Sequence, residues 1–302
     1  MKRFLKYIIC FFLPVLLLIG VGECVVRKQD NAYKYKHNYM LKYGKETEVL
    51  VLGSSHSFYG IKPGILSDKA FSLANPSQTT EYDVFVIKNY AEKYNNLHYV
   101  IMPVSYFTFF DLPLQQTSPY RAMFYKLYMK ASFPKELKYS FEFASMPTFK
   151  EKLKKIFHPT NRKEYDKYGW GTLHSLIDKD EKHWQTEKIR TALATHTAKD
   201  FSQEKRNYKN IKEIAQFCKD NEIELILITT PCWHTYYEKI NKTQMQRTYK
   251  LIDSLTNEYD IKYFDYMKDK RFNKEEYFYD GDHLSEVGAE KFSKILKQDL
   301  NL

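Results

Sequence analysis

The run Glu48-Val-Leu-Val-Leu-Gly-Ser-Ser-His-Ser57 decides how this chain is read. Val49 to Leu52 are four apolar residues in succession, β-branched at alternate positions. Such a run suits a strand buried on both faces, as in a parallel sheet. Gly53 breaks it and permits a sharp turn at the strand's carboxyl end, and Ser54, Ser55, His56 and Ser57 follow where the chain turns toward a helix. In open α/β sheets that edge is where ligands bind. A serine held there has an exposed hydroxyl, with backbone N–H groups nearby to meet an oxyanion. The same serines would equally serve as helix caps.

The far end of the chain carries a complement. In Phe278-Tyr-Asp-Gly-Asp-His-Leu-Ser-Glu-Val-Gly-Ala-Glu-Lys-Phe292, Asp280 stands three residues before His283, just ahead of a helix. Ser285 suits the N-cap and Glu286 the positive end of the helix dipole. Leu284, Val287, Phe292, Ile295 and Leu296 share a face, so the helix docks on the sheet and fixes the turn before it. An aspartate so placed orients the imidazole and stabilises its charged form while the other ring nitrogen faces a serine. The chain order is then Ser…Asp…His.

These two stretches carry a family resemblance. Gly53-Ser54-Ser55-His56 resembles the first block, Gly-Asp-Ser-Leu, of the SGNH/GDSL hydrolase family, and Asp280-Gly281-Asp282-His283 resembles its last block, Asp-x-x-His. The resemblance implies Ser55 as nucleophile, His283 as base and Asp280 as the orienting carboxylate. It covers both ends of the soluble part and the middle only loosely. Asn75-Pro-Ser-Gln-Thr79 stands where the family's second block supplies a backbone N–H to the oxyanion, with Ser77 and Gln78 about where its glycine belongs. Pro103-Val-Ser-Tyr106 stands where the third block has Gly-x-Asn-Asp, and offers Ser105 in place of the asparagine. A hydroxyl can donate, so Ser105 is expected to point toward Ser55. With its membrane anchor, the chain is most similar to the anchored members of bacterial cell-envelope acylation, among them the alginate O-acetylation and teichoic-acid D-alanylation proteins.

That anchor is read from residues 1–27. Lys2, Arg3 and Lys6 precede an apolar stretch from Tyr7 to Gly22, near the lower limit of about 17 residues for spanning hydrocarbon. Basic residues on the amino side place that end in the cytoplasm. A cleaved signal peptide is the competing reading, but no small-x-small site follows cleanly. An uncleaved signal anchor is expected: a single-pass membrane protein with its carboxyl-terminal domain extracytoplasmic. Residues 28–47, polar and rich in Lys and Tyr, read as a membrane-proximal linker, and 48–302 as the SGNH-like domain.

Within 302 residues, strand and helix patterns alternate. This predicts an α/β fold, a three-layer doubly wound parallel five-stranded sheet of flavodoxin-like type with right-handed crossovers. Residues 107–203 lack β periodicity and read as a helical insertion over the site, with helices over 120–130 and 149–157 and a turn at 169–171. His196 lies near its end. The strand over 223–228 runs into Trp233 and His234, which therefore fall on the same carboxyl edge and are candidates to touch substrate, or else to pack against the insertion.

Lys+Arg number 47 against Asp+Glu 37, a net charge of +10. A basic balance admits nucleic acid, anionic lipid or an acidic polymer, but no nucleic-acid-binding signature is visible, so no nucleic-acid partner is expected. The 4 cysteines show no disulfide or metal spacing, and Cys232 reads as a packing residue. Asp280, Asp282 and His283 lack the calcium-loop spacing, and no His-Glu-x-x-His helix exists. Neither metal nor cofactor is expected.

The functional expectation is acyl transfer through an acyl-serine, as O-acyltransferase or esterase, on a cell-envelope polysaccharide or glycolipid, with a membrane acyl-donor protein as a candidate partner. The alternative is a non-catalytic envelope protein that binds glycans or partners on a degenerate SGNH fold.

Overall fold

Val49–Val51 (β1) is fully buried, as its apolar run requires. The computed structural model describes residues 2–158 and 162–302; Met1 of the expected anchor and residues 159–161 of the expected insertion lie outside the described residues. After β1 come Ala70–Ser72 (β2), Tyr99–Pro103 (β3), Glu224–Thr229 (β4) and Lys262–Asp265 (β5). They form one parallel sheet in the order β2-β1-β3-β4-β5. Val49 is opposite both Ala70 and Tyr99, so β1 is flanked in register on each side. The chain reverses its direction of travel across the sheet between β1 and β3, the switch point at which open α/β sheets hold their ligands.

Because side chains alternate across a strand, the sheet feeds two cores. Leu50, Leu52, Val100, Met102, Leu225 and Leu227 join Val86, Ile87, Ile211, Ile214, Ile252 and Leu255 on one face. These come from the helices Thr80–Asn89, Glu204–Asp220 and Lys242–Tyr259. Val49, Val51, Ile101, Ile226 and Ile228 join Leu284, Ala289, Phe292 and Leu296 on the other, under the helix Glu286–Leu300. Each such side chain contributes about 1.5–3 kcal/mol of burial. The architecture is the expected three-layer, doubly wound α/β fold.

The segment 28–47 departs from the expected linker. Ala32–Tyr43 is a helix, capped by Asn31, whose side chain accepts the Lys34 N–H at 3.0 Å. Tyr33, Lys36 and Met40 are buried against the domain, a stripe at helical spacing. Lys36 hides the stripe from a hydropathy reading. Its stem packs inside, its ammonium lies 4.5 Å from the Phe58 ring centroid and it donates to the Ala74 carbonyl. Burial lowers its pKa well below that of an ordinary lysine.

The region 107–203 contains the helices Pro119–Tyr128, Met146–Phe157 and Glu187–His196, among shorter turns. It is not a detachable cover. Ala122, Met123 and Tyr125 belong to the main core, while Glu187–His196 flanks the switch point. At the amino end, Lys2–Lys28 forms one helix, long and apolar enough to cross a membrane, with an apolar surface that is mostly exposed. Its last turns dock on the domain. The buried Glu23 carboxylate accepts the backbone N–H of Glu142 at 2.8 Å and of Phe143 at 3.0 Å, and pairs with Arg27 at 2.6 Å.

Candidate active site

The turn out of β1 needs glycine. Gly53 has φ +104°, and a Cβ there would sit 2.7 Å from Ser57 Oγ and 3.2 Å from Pro103 Cδ. Its N–H donates to Asp83 at 2.8 Å. Ser54 takes the N-cap position of the short helix Ser55–Gly60 without making a side-chain cap bond, so the serines are not spent on capping. Ser55 is left half-buried at the mouth of the turn.

The Asp280–His283 turn is held by its own backbone. Asp280 Oδ1 accepts the N–H of Asp282 at 3.2 Å and of His283 at 2.8 Å, while His283 O accepts the Tyr279 N–H at 2.9 Å. Behind it, Ser285 Oγ accepts the Gly288 N–H at 3.1 Å, so the helix start is pinned. The outcome is a continuous line. Ser55 Oγ lies 2.8 Å from His283 Nε2, and His283 Nδ1 lies 2.9 and 3.1 Å from the two oxygens of Asp280. In the neutral ring, Nδ1 donating to Asp280 leaves Nε2 free to accept from Ser55, the arrangement a general base requires.

A second carboxylate reaches the same ring, with Asp282 Oδ1 3.6 Å from His283 Nδ1. Burial alone would lower the His283 pKa, but the charges of Asp280 and Asp282 outweigh it and raise it to about 9. Asp282 is itself buried. The charge of His283 and the hydrogen bond from His56 overcome that burial and hold its carboxyl below the usual range.

Ser105 does not take the expected place. Its hydroxyl lies 2.7 Å from His56 Nδ1, and His56 Nε2 lies 3.1 Å from Asp282 Oδ2. With Nε2–H donating to Asp282, His56 Nδ1 accepts, so the Ser105 proton is directed into the protein. Ser105 therefore supports the layer behind His283 rather than an oxyanion. It is the histidine following Ser55 that captures the hydroxyl. His56 is buried and its pKa is lowered by that burial.

The oxyanion side is better served by backbone. Ser77 has φ +60°, the left-handed conformation that glycine favours, so the turn is kept although the glycine is not. Among the described residues, the Ser55 and Ser77 amides donate to no protein acceptor. Gln78 is buried and turns its amide to Asp83 at 2.6 Å, tying the second turn to the Gly53 turn. Burial raises the Asp83 pKa to about 6, against those two hydrogen bonds. Ser55, Ser77 and Gln78 share the wall of a cavity of about 390 Å³ with Phe107, His196 and Lys199.

Trp233 and His234 do not line that cavity. Trp233 is buried, donates its indole N–H to Gln185 at 3.1 Å and packs on Trp184 and Phe278. It thus fastens the loop to the 107–203 region. His234 points outward, 3.7 Å from Glu238.

Two further histidines complete the site. His196 stacks on Phe107 at 4.0 Å and approaches Asp282 at 3.4 Å. Burial lowers its pKa to about 4. His174 is stacked between Tyr59 and Tyr279, edge-on to His283 at 4.9 Å. Burial, with the nearby His283 charge, lowers its pKa to about 2, so it stays neutral. Nothing in the local sequence marks His174, because only tertiary packing brings it there. His56, Asp282 and His283 offer ligand atoms within 4.8 Å of one another. However, both nitrogens of each ring are committed to protein partners, so the cluster reads as a hydrogen-bonded relay.

Among solved structures, the chain is similar to a protein from Bacteroides fragilis provisionally described as an acylhydrolase, at 14% identity and TM-score 0.44, covering 91% of this chain and 98% of that one. It is also similar to a GDSL-like lipase from Bacteroides thetaiotaomicron, at 13% identity and TM-score 0.43, covering 90% and 98%. No family model and no curated protein matches the sequence.

Proposed function

We propose that this protein is a serine acyl-transfer enzyme. The observation that carries the reading is the unbroken line Asp280–His283–Ser55, with a 2.8 Å contact between base and hydroxyl. Ser55 Oγ attacks an acyl carbonyl while His283 Nε2 takes its proton. The carbonyl oxygen, now negative, is met by the Ser55 and Ser77 amides. As the tetrahedral intermediate collapses, His283 returns the proton to the leaving oxygen, giving acyl-Ser55 and a free alcohol. A second hydroxyl, from an acceptor or from water, is deprotonated by His283 and attacks in turn, releasing Ser55. Asp280 holds the ring in the tautomer that both halves need.

Transfer to a carbohydrate hydroxyl of an envelope polysaccharide or glycolipid, rather than hydrolysis, is our reading of the second half. Three features support it: the long apolar helix that would tether the domain at a membrane, the cavity beside Ser55 walled by Phe107 and the Glu187–His196 helix, and the basic, aromatic-rich composition. Proximity to membrane-bound donors and acceptors raises their effective concentration, and a walled site disfavours water. We take the domain to lie outside the cytoplasm, following the basic residues that precede the helix.

The test is labelling by a fluorophosphonate probe followed by partitioning. Wild type should label and Ser55→Ala should not, with ester turnover falling ~10⁴-fold or more. Purified protein given an activated acetyl ester, with and without glycan acceptors, should yield acylated sugar in addition to acetate. Acetate alone across a panel of envelope glycans would make it an esterase. No labelling and no turnover would leave a binding protein on the same fold.

A further inference from the structure

The turn that supplies Ser77 to the Ser55 cavity has a second side. Asn75 and Pro76 line another cavity, of about 230 Å³, smaller than the roughly 300–1,000 Å³ typical of drug-sized sites. Four polar atoms of its wall are shut away from solvent: Asn31 Nδ2 and Asn75 Oδ1 find no hydrogen-bond partner, and the Tyr33 hydroxyl and the Arg121 guanidinium face only each other among the described residues. Buried polar groups are nearly always paired, so two orphans and an isolated tyrosine–guanidinium contact around one small cavity call for an occupant.

The charges around the cavity say which kind. Lys152 pairs with Glu142, and Lys155 with Glu151 and Glu164. Asp30 is exposed to solvent. Arg121 is different. Among the described residues it meets no carboxylate within ion-pair distance, and its neighbours are tyrosines, with the guanidinium 5.0 Å from the Tyr120 ring centroid and beside Tyr33 and Tyr59. A largely enclosed guanidinium without a counter-ion is costly unless an anion joins it, and its planar fork matches phosphate oxygens. Asn31 Nδ2 and the Tyr33 hydroxyl add donors. Asn75 adds an acceptor, because its Nδ2 already donates toward Leu73 O, Gln78 Oε1 and Tyr125 OH. The wall is thus built for an anion that carries a hydroxyl or lies beside one.

Position narrows the source. Gln29, Asp30 and Asn31 line the cavity immediately after the apolar helix ends at Lys28. Phe58 and Tyr59, from the Ser55 helix, form another wall, and the Tyr59 ring meets the His283 ring edge-on at 6.4 Å. We propose that this cavity binds a phosphate group flanked by a hydroxyl, as in a lipid headgroup or lipid-linked glycan at the membrane surface, and holds it one side chain away from Ser55 and His283. As a substrate subsite it rests on the acyl-transfer reading; as a binding site it does not.

The full chain in maltoside micelles would be titrated calorimetrically with inorganic phosphate, dihexanoyl phosphatidylglycerol and dihexanoyl phosphatidylcholine. Wild type should bind phosphate saturably, phosphatidylglycerol more tightly, and phosphatidylcholine, which lacks the hydroxyl and net charge, least. Phosphate binding as tight as the glycerol lipid supports the site with a free anion as its source. Arg121→Gln should weaken binding about ten- to a hundredfold, the worth of a charge-assisted hydrogen-bonded pair. Tyr33→Phe, which removes one hydroxyl beside Arg121 and keeps the ring that packs in the core, should weaken it about threefold or more. No saturable binding by wild type, or unchanged binding in a folded Arg121→Gln and in Tyr33→Phe, overturns the proposal. Wild-type protein that labels at Ser55 but binds no phosphate loses this site and keeps the acyl-transfer reading; phosphate binding without labelling does the reverse.

Discussion

In the proposed reaction His283 is the base, and its surroundings set the pH range. A general base must be neutral, yet two carboxylates hold this ring protonated up to about pH 9. The kcat/KM profile should therefore rise with pH on a limb near 9, well above the 6.5 of an ordinary histidine. Asp282→Asn removes one of the two charges, so the limb should move toward neutral pH. Asp280→Asn should instead lower the plateau ~10⁴-fold by releasing the tautomer. Stability carries the same sign. A raised folded-state pKa stabilises fully below the unfolded value and loses that contribution as pH rises through about 9, so thermal scans should show the melting temperature falling across that window. Ser77 is open to the same kind of test. At φ +60°, Ser77→Gly should change stability by less than about 1 kcal/mol and keep activity. Ser77→Val, β-branched in a left-handed position, should cost about 1–2 kcal/mol. These residues also mark what a sequence can disclose. Ser55, Asp280 and His283 are legible because each is bound to a local pattern, a glycine turn or a capped helix. Ser105 misleads because its partner, His56, is 49 positions away, and which of two neighbours wins a hydroxyl is decided only by packing.

Elements transmit this precision. The helix Glu286–Leu300 starts against the backbone of Tyr277, so closely that a Cβ on Gly288 would fall 1.9 Å from the Tyr277 carbonyl oxygen. Backbone cannot yield as a side-chain tip can. Gly288→Ala should therefore cost about 1–3 kcal/mol, in the manner of overpacking, and should loosen the Asp280–His283 turn, so that kcat falls with the melting temperature. A control substitution at exposed Val287 should move neither by much. The strands were legible from runs such as Val49–Leu52 because burial on both faces leaves an unmixed apolar signature. The helix Ala32–Tyr43 was not, since Lys36 interrupts its stripe and only the Phe58 ring and the Ala74 carbonyl explain how a lysine fits there. The irregular 107–203 region was visible as non-β, but its share in the main core depends on contacts across the fold.

For the molecule as a whole, the joint between the apolar helix and the domain matters most. The Glu23 carboxylate closes two amides of the 142–144 turn and one guanidinium. Glu23→Ala should leave the Glu142 and Phe143 amides without their acceptor. Hydrogen exchange there should speed up about ten- to a hundredfold, the worth of a hydrogen bond to a charged group, with the β1 and β3 amides unaffected. The wider consequence is one of reach. A floppy tether lets a catalytic domain sweep a hemisphere above the surface that holds it. Here the helix is clamped before it ends and the next helix is packed into the core, so no slack remains between them. If the helix spans a bilayer as proposed, Ser55 rides at one fixed altitude, like a tool on a stilt. Hydroxyls presented at that altitude are within range, and chemically identical ones farther out on the same polymer are not, so the pattern of modification along a chain would record the length of the stilt.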